Sequence, residues 1–450
     1  MDIVWGILRE TGVVLYYTWW MWVFILLGPI FVEVWLFWKQ ETFKHEIDWV
    51  LLELRMPREV RKSPMAMEQV LAALYALRNA PGDFQEKYLS GEITRWFSLE
   101  LVSIGGEVHF YVRAVRAQKD LIEAAFFSYY SDVEVVEVDD YVKNLPETMT
   151  EAYEQGYELW GTELILAKNE AYPIKSYLDF EAPEEEKQYD PISLFLEVLG
   201  KTKREEFVGI QFEIAPAGDE WKRHGAHVVE ELRSKKSEKG HGPGASMGVE
   251  FPHILPTFPV EKHDGKESSE FSKMFMRTPG ETDVLKAVEE NLSQAAFETV
   301  IRFIYLSPKQ LYTDTFARRG VIGAFNQYAS NDLNAFIQNP DMSTRAKVWA
   351  WPHLFPARRV YLRRERILSY YRHREVPPHV PIGKYFMGRF LNGEHSKHFI
   401  LTCRSLATLF HPPTYLVLTA PHVRRIESRK AGPPAGLPIY GGEETIEKYH

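Results

Sequence analysis

The chain has 450 residues, 45% of them hydrophobic and 26% charged, with a formal net charge of −9. These are the proportions of ordinary globular protein and name no function by themselves, while the negative balance argues against wholesale coating of nucleic acid and leaves room only for local basic patches. The single cysteine, Cys403, excludes an intrachain disulfide, so an oxidising compartment is not demanded.

Residues 12–38 (GVVLYYTWWMWVFILLGPIFVEVWLFW) hold one charged side chain, Glu33. As a helix, at about 1.5 Å per residue, the run would reach about 40 Å. That exceeds the roughly 30 Å hydrocarbon core of a bilayer. Trp19, Trp20 and Trp22 cluster near one end and Trp35 and Trp38 at the other, as aromatics gather at the two headgroup levels. The segment therefore reads as a single N-terminal transmembrane helix after a short tail at 1–11, with membrane lipid as a partner. A buried core helix is the competing reading, disfavoured because such a helix seldom runs this long without a polar face. Lys39, Lys44, Arg55, Arg58, Arg61 and Lys62 follow the run, against Arg9 alone before it. The positive-inside rule then puts the body in the cytoplasm and the chain in the cytoplasmic (inner) membrane.

Beyond this run the chain is long enough for two or three domains. Residues 49–55 read as a strand, and Ser63-Pro64 opens a helix to about residue 78. Strands are expected at 94–103 and 107–114, joined at Gly105-Gly106, followed by a helix at 117–130 and a strand at 133–138. The order β-α-β-β-α-β predicts a ferredoxin-like domain over 45–145. A second α/β domain is expected over 155–339. Its pieces are a hairpin at 159–167 and 174–180, a helix after Asp190-Pro191, strands at 206–215 and 297–306, and helices at 219–235, 279–293 and 316–329. A Gly/Ser/Pro/Lys-rich insertion at 236–270 interrupts it and reads as flexible. Residues 340–450 form a basic, Pro-rich C-terminal region from which 398–403 returns a strand to the second domain. The expected fold class is α+β: a transmembrane helix, tandem ferredoxin-like units, a flexible insertion and a Pro/Arg-rich end.

Catalytic signatures are missing. Gly200-Lys201-Thr202 lacks the glycine a phosphate loop needs five residues earlier, where Phe195 stands, and the residues ahead of it are helical rather than a strand. The run 133–140 resembles a Walker B strand, but without a phosphate loop it is a strand ending in a polar turn. His241, His253 and His263 fall in the insertion, and Cys403 with His398 and His411 makes no metal spacing. No cofactor and no enzymatic activity are expected. The most biased stretch is 345–374. Arg358, Arg359, Arg363, Arg364, Arg366 and Arg372 stand there with Arg345, Lys347 and Arg374, interleaved with Trp349, Trp351, Phe355, Tyr361, Tyr370 and Tyr371, against one acid, Glu365. Such residues suit phosphates and unpaired bases, anionic lipid headgroups, or an acidic protein surface such as the chain's own 181–189, and all three readings stay open.

Several ordered blocks resemble a known family: 52–74, 98–135, 208–225, 297–308, 405–413 and the ending ESRKAGPPAGLPI at 427–439. In this order they resemble the membrane-proximal region that precedes the motor in conjugative DNA-transfer ATPases, relatives of type IV secretion coupling proteins and HerA-like translocases. In that family a stretch like Pro433-Pro434 with Leu437-Pro438-Ile439 leads into the ATPase; here only residues 440–450 follow. The family's ATP-binding residues have no counterparts to carry over. The resemblance implies a non-enzymatic, membrane-anchored platform of a secretion-like or DNA-translocation machine, self-associating and docking a separately encoded P-loop ATPase. The alternative is a membrane-tethered nucleic-acid-binding protein that uses 345–374.

Overall fold

The computed structural model describes residues 2–57, 62–181, 189–234, 279–313, 315–344, 355–378, 396–414, 417 and 425–426. The chain opens with helix α1, Asp2–Glu46, and turns into strand β1, Trp49–Pro57. Helix α2 (Met65–Ala76), strands β2 (Phe97–Ile104) and β3 (Glu107–Val115), helix α3 (Lys119–Tyr129) and strand β4 (Glu134–Val138) follow. Next come α4 (Met149–Glu154), β5 (Tyr157–Leu166), α5 (Ser193–Gly200), β6 (Phe207–Pro216) and α6 (Glu220–Ser234). Helix α7 (Pro279–Ser293), β7 (Ala296–Pro308), α8 (Ile322–Asn326) and β8 (Phe336–Gln338) precede the long helix α9 (Pro356–His373). Strand β9 (Phe399–Thr402), α10 (Cys403–Leu409) and the two-residue β10 (Arg425–Ile426) complete the described chain.

The ten strands of the described residues belong to one sheet, ordered β10–β1–β3–β2–β6–β7–β5–β8, with β4 also on β1 and β9 also on β7. Every pairing is antiparallel except β1 with β10. The tandem ferredoxin-like units expected from the sequence are corrected here. Strand β2, which would be a free edge of a first unit, pairs with β6 along its whole length, from Phe97↔Ile214 to Ile104↔Phe207. The two halves are therefore one continuous sheet. The hairpin expected at 159–167 and 174–180 differs as well: β5 pairs with β7, and 177–179 is a short 3-10 turn closed by Ser176 and Asp179.

One sheet face is apolar. Leu52 and Leu54 of β1, Phe97, Leu99 and Leu101 of β2, and Ile210 and Phe212 of β6 point toward α2, α3, α5, α8 and α10 and form the main core. The turn between β2 and β3 uses Gly105 and Gly106, both at positive φ (61° and 93°), where a Cβ would meet the carbonyl oxygens of Arg204 (2.8 Å) and Thr202 (2.7 Å). The opposite face is covered by α4 and α9, with Met149, Ile367, Leu368 and Tyr371 buried against Leu159, Ile304 and Leu306. Helices α6 and α7 pack on each other through Val229, Leu285 and Val288.

The transmembrane reading of 12–38 is also corrected: among the described residues no helix is long and apolar enough to cross a membrane. Trp and Tyr rings carry polar N–H and O–H edges, and Glu33 interrupts the run. The foot of α1 belongs to the folded body: Leu36 and Gln40 are buried, the Trp35 indole N–H donates to the Tyr88 carbonyl (2.9 Å), and Lys44 pairs with Glu375 (2.9 Å). Trp19, Trp20, Trp22, Trp35 and Trp38 are accordingly not read as membrane anchors, and the single-pass, inner-membrane location inferred from them is withdrawn. The insertion at 236–270 and the tail at 427–450 lie outside the described residues.

A buried charged row beneath a lid helix

In a strand, alternate residues point to opposite faces, so the polar positions between the core residues share the face under α9. Register places them in line. Glu53 of β1 lies opposite Tyr111 of β3, Tyr111 opposite Glu100 of β2, and Glu100 opposite Gln211 of β6. The line continues from Gln211 to Arg302 of β7 and from Arg302 to Glu163 of β5. The neighbouring rung holds Arg113, Ser98 and Glu213, again directly opposed. Glu53, Glu100, Glu163, Gln211, Glu213 and Arg302 are all buried. Charged groups reach a protein interior only when paired and hydrogen-bonded, and here the pairs are visible.

Arg302 donates from Nη2 to Glu163 Oε1 (2.7 Å) and from Nε to the same oxygen (3.0 Å), with both side chains fully buried. Its remaining N–H groups reach the carbonyls of Tyr370 (2.9 Å) and Glu375 (3.0 Å), at the end of α9. Arg374, just past α9, donates from Nε to Glu100 Oε1 (2.7 Å) and from Nη1 and Nη2 to Asp140 (2.6 and 2.9 Å). Its backbone sits in the left-handed region (φ 51°), a conformation that costs about 1 kcal/mol or more for a side-chain-bearing residue and is held by this pairing. Tyr141 donates to the second Glu100 oxygen and contacts the Tyr371 hydroxyl (2.8 Å). Tyr371 is admitted by a glycine: a Cβ on Gly209 would lie 1.8 Å from the Tyr371 oxygen. At the β1 end, Glu53 meets His109 Nδ1 (2.8 Å) and Arg55 (2.8 Å).

Electrostatics follow from burial and partners. The hydrogen bond from His109, with Arg55 beside it, holds the Glu53 carboxyl down at about 2. Burial, reinforced by the nearby Glu100, pushes Glu213 up to about 8. Burial and the neighbouring Arg374 lower Arg113 to about 10. Burial raises Asp140, but the Arg374 guanidinium outweighs it and the net shift is downward. Tyr141 and Tyr371 are raised well above the usual phenol range by burial. With its carboxylates matched by guanidinium and hydroxyl groups, the row acts chemically as a clamp between sheet and lid.

The arginines singled out from the sequence fall on α9, and most turn inward. Arg358 is exposed and Arg366 is half-buried. Arg359 and Arg363 are buried, and Arg363 donates to the carbonyls of Ser343 (2.9 Å) and Pro340 (3.2 Å). Arg364 meets Tyr153 (2.8 Å) and Glu158, and Arg372 caps the carbonyls of Val142 (2.9 Å), Leu145 and Pro146. Side chains with internal acceptors are not arrayed for phosphates. Residues 345–354 and the three insertion histidines lie outside the described residues. Gly200-Lys201-Thr202 sits at the C-terminal end of α5, the negative end of its dipole, where a phosphate is repelled. Cys403 is buried, its thiol pushed up to about 12 by burial. His411 pairs instead with Asp190 (2.8 Å). Among the described residues no group of three or more His, Cys, Asp or Glu is placed to hold a metal ion.

Sequence reasoning missed the row itself. Its signal was there: charges of both signs at mid-strand positions, with Arg113, Glu213 and Arg302 each flanked by apolar residues and Glu163 followed by Leu164. Fold and row together define an α+β protein built on one wide, almost wholly antiparallel sheet with an ion-paired face under a lid helix. Residues 38–421 match the model of a domain of unknown function, DUF8128, and the chain belongs to that family. No curated protein matches it. The family description carries no link to type IV secretion or conjugation, and among the described residues no helix is long and apolar enough to be the membrane span that this setting leaned on.

Proposed function

We propose that this chain is a non-catalytic assembly platform: the sheet body is a rigid unit, and α1 is the element through which copies join one another within a larger, ATP-driven machine. One observation carries the reading. Between Trp5 and Val34 most of the described side chains of α1 are exposed, and Tyr16, Trp19, Trp20, Phe24, Leu27 and Phe31 are each more than half exposed. Successive helix residues are about 100° apart, so these six fall within an arc of about 140° and form a stripe along one side of the helix. An apolar stripe of this width is the face a helix buries against a neighbour, and an exposed apolar surface of this kind marks an interaction site. Its foot is joined to the body through Lys44 and Glu375, next to Arg374 of the charged row, so an assembled α1 holds the sheet in a fixed orientation. The partner ATPase is supported by the resemblance of blocks 52–74, 98–135 and 297–308 to the region that precedes such motors.

Mass photometry of the purified full-length chain is expected to show oligomers, converted to monomers when Phe24, Leu27 and Phe31 are all changed to Glu. A full-length chain that stays monomeric at micromolar concentration refutes the reading. Crosslinking with mass spectrometry then reads the second partner: links from the sheet body to a P-loop ATPase are expected, and links between copies alone would remove the ATPase.

A further inference from the structure

Ser98 sits between two buried carboxylates. Its Oγ lies 2.8 Å from Glu100 Oε1 and 2.9 Å from Glu213 Oε1. A hydroxyl has one hydrogen and donates once, whereas an ionised carboxylate only accepts. Both contacts are hydrogen bonds only if one carboxyl carries a proton. Glu100 accepts from Arg374 and from Tyr141 besides Ser98, which suits an anion. Among the described residues Glu213 accepts from no cation, and its Oε2 is buried with no hydrogen-bond partner. Charge points the same way. Around Glu213 stand Glu100 from β2, Arg113 from β3, Arg302 from β7 with its partner Glu163 from β5, and Arg374 from the lid with its partner Asp140. Three carboxylates (Glu100, Glu163, Asp140) then face three guanidiniums (Arg113, Arg302, Arg374), and an ionised Glu213 would be a fourth anion with no cation.

We infer that Glu213 is a neutral carboxylic acid in the folded protein, donating to Ser98 as Ser98 donates to Glu100, and that its ionisation is a built-in alkaline switch that loosens the joint between sheet and lid. The hydrogen-bond chain runs Glu213–Ser98–Glu100–Tyr141–Tyr371 and ends on the buried face of α9. Losing the proton removes the only donor to Ser98 Oγ from β6 and sets two like charges across one hydroxyl. The inference stands apart from the assembly role of α1 and does not depend on it.

The direction with pH follows. The carboxyl has an ordinary value of 4.5 and is raised to about 8 in the fold. Between those values the unfolded chain gives up the proton and the folded chain keeps it, so stability falls as pH rises. Relative to Glu213→Gln, whose amide N–H also donates to Ser98, the unfolding equilibrium constant of wild type is expected to rise by up to about tenfold per pH unit across this window. Infrared spectra of the full chain at pH 6 should show a buried protonated-carboxyl band that is lost in Glu213→Gln and displaced in Ser98→Ala. Parallel stability–pH profiles for wild type and Glu213→Gln, or a band that survives Glu213→Gln unchanged, would overturn the inference. Should Glu213→Gln fail to fold, the Ser98→Ala displacement decides: a band unmoved by loss of the hydroxyl overturns it.

Discussion

Replacing Arg374 by Met tests the charged row most directly. Met roughly preserves the length of the aliphatic stem and leaves little new void, so the cavity contribution is small. The guanidinium is lost, and with it the bonds to Glu100 and Asp140. The two acids are not equivalent. Asp140 is about one-third exposed (32%) and regains water, whereas Glu100 is fully buried and keeps only the Ser98 and Tyr141 hydroxyls. Leaving one buried charge without its partner costs about 3–5 kcal/mol. Against a total stability of about 5–15 kcal/mol, that is a large fraction, on the order of a thousandfold in the folding equilibrium. Adding Glu100→Gln removes the stranded charge. The double variant is expected to recover much of the loss, with a coupling of up to about 3 kcal/mol. Urea unfolding followed by tryptophan fluorescence reads all three proteins, since Trp96, just ahead of β2, and Trp160 of β5 are both buried. If Arg374→Met stays within about 1 kcal/mol of wild type, or the double variant is no better than the single, the row is not the clamp described.

Gly209→Ala places a methyl group in the space of the Tyr371 ring and hydroxyl; overpacking of this kind costs about 1–3 kcal/mol, and faster amide exchange along α9 is the expected signature in hydrogen-exchange mass spectrometry. Asp190 is raised by burial, but His411 and the Thr414 N–H outweigh this and hold it below its ordinary 3.8. Its stabilisation is therefore present above that value and lost as pH falls through the lowered one, and Asp190→Asn should cost a few kcal/mol at neutral pH, the gap to wild type narrowing in acid-titrated melts. Glu53, held at about 2 by His109 and Arg55, loses its contribution between pH 4.5 and about 2. Glu53→Gln should flatten the stability profile in that window alone, and equal slopes in both proteins would contradict the assignment.

The strands were largely readable in advance. Those expected at 94–103, 107–114, 206–215 and 297–306 lie within three residues of β2, β3, β6 and β7, because local alternation and turn residues such as Gly105-Gly106 report local structure. What lies beside each strand is a non-local matter. Nothing near Phe97 announces Ile214 as its neighbour, and the joining of two halves into one sheet was missed for that reason. The charged row was hidden by the same alternation. Ser98, Glu100 and Glu213 occupy positions that read as a solvated face, and it is α4 and α9, both distant in the chain, that turn that face inward. Arg374 lay within the basic stretch noticed from composition, yet composition does not distinguish a cation that faces water from one that faces Glu100. The apolar run at the N-terminus was read correctly as hydrophobic and wrongly as a membrane span, since Trp35 and Lys44 at its foot answer to Tyr88 and Glu375, partners that periodicity does not show.

The pairing of β2 with β6 also bears on how the chain comes to be folded on the ribosome. Strands β1 to β4 pair among themselves within residues 49–138, so they have local partners early in synthesis. Until residues 207–216 emerge, about seventy residues later than β4, the β2 edge carries unmatched backbone N–H and C=O groups over eight positions, among them the alternating Phe97, Leu99 and Leu101. Such an edge is a template for any other strand it meets. Pauses in translation between about residue 145 and residue 216 are therefore the interval of greatest hazard, and a polypeptide terminated there should scatter light and sediment where the complete chain does not.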